Sequence, residues 1–474
     1  MKNILKNSAL YKDQQKANVL LSYSEIINFL NDNWHTEKTQ EETLACMQKL
    51  NHAFGNIAQK MKSIFITGTN GKSLTTHFIQ KLLQKEGVTV GCLHNPHILT
   101  YNERLSSSAE SSIPNKTFTE IANEVLNASH TIDIKINSKE LITMMGLLYF
   151  NRSKCDLIVI EIDSNTQQPA YICSPIIAGL TRLTNNSNED AETIKNQIHT
   201  MLSFTQKDMY IVSADQNKLH LQIAQELASE KKCIWGMPIR KLAGLNYPYN
   251  QLHGRSAAFA ERISSLYLNN FIHEEVRNTN SNSLLAQPKG KRGRPTLSAK
   301  RKLELNPKKT IDQFWKETQS TLPGRFQYFE NQNPSLLLDN ANNIDAFENL
   351  FLGIRLLHYK RALKGTALIL SCDNTTLDKT ELVHALRYFF KKVSGTIFLC
   401  PLKNKGFLDT PHWDIQKIAS DLKSMKINAR ICNTFEGAFI DAQKVIDDRD
   451  GLMVISGSHE IIAEYWTYKG YKKL

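Results

Sequence analysis

Long apolar runs are missing from this sequence of 474 residues. None approaches the roughly 18 to 20 residues that a membrane-spanning helix requires, so no membrane association is expected. The opening stretch, Met1 to Lys16, is polar and basic with no apolar segment inside it, and a secretory signal is not expected either. Cysteine is sparse and scattered. Cys46, Cys92, Cys155, Cys173, Cys233, Cys372, Cys400 and Cys432 form no CxxC pair and no Cys/His cluster at zinc spacing, and they read as buried reduced thiols in a cytoplasmic protein.

A distributed excess of charge is also lacking. The formal net charge is +12, but nine basic residues lie between Pro288 and Lys309 (Lys289, Lys291, Arg292, Arg294, Lys300, Arg301, Lys302, Lys308 and Lys309) against one acid, Glu304. The remainder of the chain carries about +4, so the basicity belongs to one segment rather than to the fold. At 22% charged and 41% hydrophobic residues, the composition is that of a soluble globular protein long enough for two or three domains.

What is present is a phosphate cradle. Ile64-Phe65-Ile66 ends in Thr67-Gly68-Thr69-Asn70-Gly71-Lys72-Ser73, a β-branched run followed by a glycine-rich turn with Lys and Ser, and Thr75 to Glu86 then reads as an amphipathic helix. In such a strand-turn-helix unit Gly68 and Gly71 let backbone N–H groups face an anion. Lys72 adds a point charge, and the Ser73 hydroxyl can meet a phosphate-bound Mg²⁺. Only two residues separate the glycines, a compression of the usual P-loop spacing.

Around this unit the pattern alternates. Helices are expected over Ser22 to Asn31 and Glu41 to Phe54, and strands over Val88 to Leu93, Asp156 to Ile162, Ile176 to Leu183 and Met209 to Ser213, which implies a parallel, doubly wound sheet. A second α/β pattern follows, with strands at Ser335 to Leu338, Thr366 to Ser371, Gly395 to Cys400, Ala429 to Cys432 and Gly451 to Ser456. Three regions are expected: 1–277 with the nucleotide turn, 278–320 as a basic inserted linker, and 321–474 as a C-terminal α/β domain.

Six motifs in order carry a resemblance. They are Gly68-Thr69-Asn70-Gly71-Lys72, Pro96-His97-Ile98 with Tyr101-Asn102-Glu103-Arg104-Leu105, Leu322-Pro323-Gly324-Arg325-Phe326, Leu338-Asp339-Asn340-Ala341-Asn342-Asn343, Leu377-Asp378-Lys379 and Ser456-Gly457-Ser458. Assembled, the chain resembles the folylpolyglutamate synthase/dihydrofolate synthase family, the folate branch of the Mur ligases, from about Ser22 onward. The resemblance implies a Mur-ligase-like α/β fold, with a P-loop ATPase domain on a parallel sheet and a smaller Rossmann-like C-terminal domain. It also implies ATP-dependent addition of glutamate to a folate or dihydropteroate carboxylate through an acyl phosphate, by a cytoplasmic monomer using ATP and Mg²⁺.

Carried over residue by residue, the resemblance implies catalytic roles for Lys72, Glu161 and Arg325. Nucleotide binding falls to Gly68, Thr69, Asn70, Gly71, Lys72, Ser73, Leu74, His253, Arg325 and Asp339. The folate side falls to His97, Asn102, Glu103 and Arg104, and the metal to Ser73, Asn95 and Glu161. Glu161 closes its strand, where open α/β sheets place ligand chemistry.

The chain departs from the family in the second half of the site. After Glu161 the family's glycine-rich stretch is replaced by Asp163-Ser164-Asn165-Thr166-Gln167-Gln168-Pro169, and Asn95 stands for the metal-binding serine. The expected metal histidine falls near Asn185-Asn186-Ser187, the carbamylated lysine near Met201 or Leu202, and the LDGAHN histidine is Asn342. Lys291-Arg292-Gly293-Arg294-Pro295 has an AT-hook core, so A·T-rich DNA is a further candidate partner through Lys291, Arg292 and Arg294. The alternative to a working ligase is a catalytically degenerate member of the fold that binds nucleotide, a partner or DNA.

Overall fold

The computed structural model describes residues 20–184, 189–239, 249–272, 322–371, 379–402 and 414–474, and every structural statement below concerns these residues. The basic segment with its AT-hook core, the boundaries of the expected linker, and Asn185 to Ser187 lie outside them.

Two sheets organise the chain. The first has seven strands: β1 (Lys62–Thr67), β2 (Val90–Leu93), β3 (Leu105–Ser107), β4 (Leu157–Glu161), β5 (Pro175–Leu180), β6 (Tyr210–Ala214) and β7 (Ile234–Ile239), in the order β3-β2-β4-β1-β5-β6-β7. All neighbours are parallel except β2 and β3. Ile64, Phe65 and Ile66 are buried although they point alternately to opposite faces, because helices cover both. On one face pack α1 (Tyr23–Asp32), α2 (Gln40–Ala53) and, later in the chain, two helices over Asn115–Thr131 and Ser138–Arg152; on the other, α3 (Lys72–Lys85) lies against the helix Gly254–Phe271. Ser22 with Glu25 and Thr39 with Glu42 form capping boxes that fix where α1 and α2 begin.

The second sheet has six strands: β8 (Gln327–Phe329), β9 (Ser335–Leu338), β10 (Thr366–Leu370), β11 (Gly395–Leu399), β12 (Ala429–Ile431) and β13 (Leu452–Ser456), in the order β12-β11-β10-β13-β9-β8. The long helix Ile344–Lys360 covers one face, and the helices Phe435–Gln443 and His459–Tyr468 the other.

The structure differs from the sequence reading at the element ends and at the sheet edges. The nucleotide helix begins at Lys72 rather than Thr75, because Gly71, at φ 90°, is its N-cap. β3 and β8 were not expected; each is three residues long and antiparallel, too short for a periodicity to register. β7, also unexpected, carries a glycine and a proline in its run, Ile234-Trp235-Gly236-Met237-Pro238-Ile239.

Candidate functional site

The site assembles where parallel strands of the first sheet end together. Ile66 of β1 stands beside Glu161 of β4, and Leu93 of β2 beside Ile160, so the residues just past β1, β2 and β4 converge. The turn after β1 is shaped by two glycines. Gly68 has φ 126°, and a Cβ there would lie 2.4 Å from Thr181 Oγ1 and 2.9 Å from its carbonyl oxygen. Gly71 then opens α3, whose first turn has no side-chain cap, leaving N–H groups pointed out of the helix start. The N–H groups of Thr69 and Asn70 both donate to the carbonyl of Arg182 at 3.0 Å, so the anion-facing surface narrows to Gly71, Lys72, Ser73 and Leu74. Lys72 Nζ donates to the carbonyls of Gly68 at 2.6 Å and Thr69 at 3.2 Å.

A chain of contacts ties three elements at this point. Ser73 Oγ donates to Glu161 Oε2 at 2.9 Å, Arg325 Nη2 donates to Ser73 Oγ at 3.1 Å, and His94 Nδ1 lies 2.8 Å from Glu161 Oε1. Arg325 arrives from the segment that enters the second sheet, held by its own Nη1 on the Pro323 carbonyl at 3.0 Å. Burial lowers the proton affinity of its guanidinium, which nevertheless stays a cation at ordinary pH. Asp339, just past β9, accepts from the N–H groups of Phe326 at 2.8 Å and Ala341 at 2.9 Å. Burial pushes its carboxyl up to about 7 despite those two donors and the nearby Arg325. His253 packs its ring parallel to Tyr249 and edge-on to Phe326, and burial pushes it down to about 3, so the imidazole is neutral.

Two cavities meet here. A cleft of about 650 Å³ between the sheets is lined by Gly71, Lys72, Ser73, Asn95, Asp163, His253, Arg325, Asp339, Asn342 and His459. A smaller cavity of about 210 Å³, lined by His77, His94, Ile98, Glu103 and Ser106, shares Ser73, Pro96 and Arg325 with it.

The folate-side candidates are built into the fold instead of standing in the cleft. His97 is buried, and its Nδ1 accepts from Arg104 Nε at 2.8 Å, which requires the neutral ring that burial enforces. Arg104 stacks on Trp34 with its carbon 4.4 Å from the ring centroid, and burial lowers it to about 10. Asn102 donates to the Ile113 carbonyl at 2.7 Å, and Glu103 accepts from the N–H groups of Ile98, Leu99 and Thr100. Of the four, Glu103 also lines a cavity.

The residues present fit one divalent cation. Ser73 and Glu161 offer two hard oxygens 2.9 Å apart beside Lys72, a donor set suited to Mg²⁺ that keeps most of its waters. Among the described residues they do not fit a second. Asn95 has its oxygen committed to Arg104 Nη1 at 2.8 Å and its nitrogen donating to Asp163 at 2.7 Å, and Leu202 is buried among apolar side chains. Among the described residues no group of three His, Cys, Asp or Glu side chains is arranged to hold a metal.

Sequence reading missed His94, the Asn70 contact with the second sheet's lobe, and His459. His94 had a signal available: it is the first residue past a parallel strand, the same rule that singles out Glu161.

No protein-family model matches the chain. It is 29% identical over 170 residues to the folylpolyglutamate synthase of Lacticaseibacillus casei, covering 34% of this chain and 39% of that one. It is 25% identical over 202 residues to the dihydrofolate synthase/folylpolyglutamate synthase of Bacillus subtilis, covering 39% and 47%. The matches thus span less than half the length of these curated relatives. In fold, it superposes on the Mycobacterium tuberculosis folylpolyglutamate synthase complexed with ADP with a TM-score of 0.71 at 13% identity, over 95% of this chain and 99% of that one. It also superposes on a bifunctional folylpolyglutamate synthase/dihydrofolate synthase with Mn, AMPPNP and L-glutamate bound, at a TM-score of 0.66 and 18% identity, over 95% and 98%. Sequence relatives and fold neighbours are of one kind, the kind the motifs pointed to.

Proposed function

We propose that this divergent member of the folylpolyglutamate synthase/dihydrofolate synthase family is an ATP-dependent ligase that joins glutamate to a folate or dihydropteroate carboxylate. The observation that carries the reading is the Arg325 to Ser73 contact, which sets a cation from the second lobe on the nucleotide turn of the first, at the junction of the two cavities.

ATP lies in the larger cleft, with its phosphates at the start of α3 and its base toward His253 and Asp339. Lys72 exchanges two neutral carbonyls for phosphate oxygens, a stronger charge-assisted bond. Mg²⁺ at Ser73 and Glu161 supplies charge neutralisation on the phosphates. The reacting end of the carboxylate substrate reaches the same point from the smaller cavity. Its oxygen attacks the γ-phosphorus as ADP leaves. The glutamate ammonium gives one proton to solvent, its amine attacks the acyl carbon, and phosphate leaves with the C–O electron pair and takes up the second proton released from nitrogen. Arg325 is placed to stabilise charge on the transferring group, and the lobes above the cleft exclude water from the acyl phosphate. The same reading places the protein in the cytoplasm as a monomer; no described helix is long and apolar enough to cross a membrane.

The test is ADP and phosphate release by purified protein offered dihydropteroate or tetrahydrofolate, with and without glutamate, and with Lys72→Ala as control. Turnover that needs both pterin and glutamate supports the ligase. ADP binding without turnover reduces the protein to a nucleotide-binding module, and failure to bind ADP overturns the reading.

A further inference from the structure

Glu161 is held from two sides, and only one of its holders belongs to the nucleotide turn. Ser73 occupies Oε2, and the imidazole of His94 occupies Oε1 at 2.8 Å. A carboxylate only accepts, so His94 Nδ1 must carry the proton and donate it. The ring is fixed at its other nitrogen, where Nε2 lies 3.0 Å from Ser106 Oγ on β3, and the backbone is fixed by the His94 N–H on the Arg104 carbonyl at 2.7 Å. Ser106 faces Cys92 across the antiparallel β2–β3 pair, so the edge strand delivers the hydroxyl to this spot.

The second observation concerns what else could orient a cation. Asn95 is committed to Arg104 and Asp163, Leu202 contributes only hydrocarbon, and no three-residue ligand group exists among the described residues. Glu161 is the carboxylate in direct contact with Ser73 of the nucleotide turn, and its rotation is fixed by Ser73 on one oxygen and His94 on the other.

We propose that His94 is a positioning residue for the divalent cation of the nucleotide site, turning Glu161 so that its free lone pairs converge with Ser73 Oγ. It rests on the reading of the cleft as a Mg·nucleotide site. Outer partners that orient metal-binding carboxylates are worth roughly 10- to 100-fold in metal affinity, and His94 is expected to fall in that range.

The experiment is calorimetric titration of ADP at a series of Mg²⁺ concentrations into wild-type protein and His94→Leu, His94→Asn and His94→Gln. Asn places its amide N–H near the position of the imidazole Nδ1 and retains the donor to Glu161; Gln places it near Nε2, toward Ser106. The expected result is a rise of about 10- to 100-fold in the half-saturating Mg²⁺ concentration for His94→Leu and His94→Gln, a much smaller rise for His94→Asn, and unchanged ADP affinity without Mg²⁺. Equal Mg²⁺ dependence in wild type and His94→Leu overturns the proposal while leaving the nucleotide site standing. If His94→Leu lowers the melting temperature enough to prevent titration, the Asn and Gln variants decide, and equal behaviour of those two overturns it. Wild-type ADP binding with no Mg²⁺ dependence overturns the proposal together with the metal assignment, and absence of ADP binding overturns the nucleotide site itself.

Discussion

The side-chain amides of Asn70 and Asn343 face each other head to tail, with Asn70 Nδ2 donating to Asn343 Oδ1 at 3.0 Å and Asn343 Nδ2 donating back to Asn70 Oδ1 at 2.8 Å. Asn70 lies in the nucleotide turn, and Asn343 caps the helix Ile344–Lys360 of the other lobe by accepting from the Ala346 N–H at 3.0 Å. Asp345 joins the knot, accepting from Asn70 Nδ2 at 2.9 Å and from Arg182 Nε at 2.6 Å. The turn that would grip a phosphate is thus also the turn that grips the second lobe.

Coupling across this pair is measurable. Asn343→Ser keeps an oxygen for the helix cap but is too short to reach Asn70, so a cycle with Asn70→Ala isolates the cross-lobe contact. A coupling of about 1 kcal/mol is expected, within the usual range for side chains in contact, read as unfolding free energy from urea titrations. Strict additivity would show that the lobes are joined elsewhere.

Lys72→Ala removes the ammonium without disturbing the glycines that shape the turn. Losing a hydrogen bond to a charged group costs about 1.5 to 3 kcal/mol, so ADP affinity should fall by roughly 10- to 100-fold. The melting temperature should move little, because the two hydrogen bonds of the Lys72 ammonium go to carbonyls of its own turn. Calorimetry and a thermal melt on the same sample check both statements.

The pH dependence of stability has opposing contributors. Burial pushes His77 and His253 down to about 3, so between about 6.5 and 3 the unfolded chain binds more protons than the native one. Their contribution is therefore complete above pH 6.5 and is lost on acidification, at up to about 1.4 kcal/mol per pH unit each. Asp339, pushed up to about 7, acts in the opposite sense: the native state holds its proton over a range where the unfolded chain has released it, which adds stability as pH falls. Unfolding free energies at pH 7 and pH 5 should show a shallower loss in His77→Gln than in wild type, and a steeper loss in Asp339→Asn. The reverse ordering would contradict the burial of these groups.

Gly353→Ala tests how Arg325 is kept in place. A Cβ at position 353 would meet the Phe326 ring at 2.2 Å, and Phe326 is the neighbour of Arg325, held at φ 48°. Overpacking of this kind costs typically 1 to 3 kcal/mol. A lowered melting temperature is expected, with weakened ADP binding as Phe326 shifts and draws Arg325 off Ser73.

Those contacts separate what was legible in the sequence from what was not. The nucleotide turn could be read because its chemistry is local: glycines, Lys72 and Ser73 lie within six residues of one another. The parallel sheets could be read because burial on both faces leaves continuous apolar runs. Arg104 and His97 looked like substrate residues because nothing in a sequence distinguishes an arginine facing a ligand from one stacked on Trp34. Asn70 and Asn343 are 273 positions apart, and two asparagines carry no pattern that pairs them. His94 carries no motif of its own, and its role rests on Glu161, 67 positions away, and on Ser106 of the edge strand.

The Arg325–Ser73 contact joins residues 252 positions apart. At translation rates of 5 to 20 residues per second, the nucleotide turn leaves the ribosome about 13 to 50 s before the guanidinium that completes it. During that interval the first sheet can close while Ser73 and Glu161 stand without their cation from the second lobe. A half-made chain therefore carries the glycine turn with Ser73 and Glu161 in place but lacks the guanidinium that meets them, and that contact arrives only with the last third of the protein.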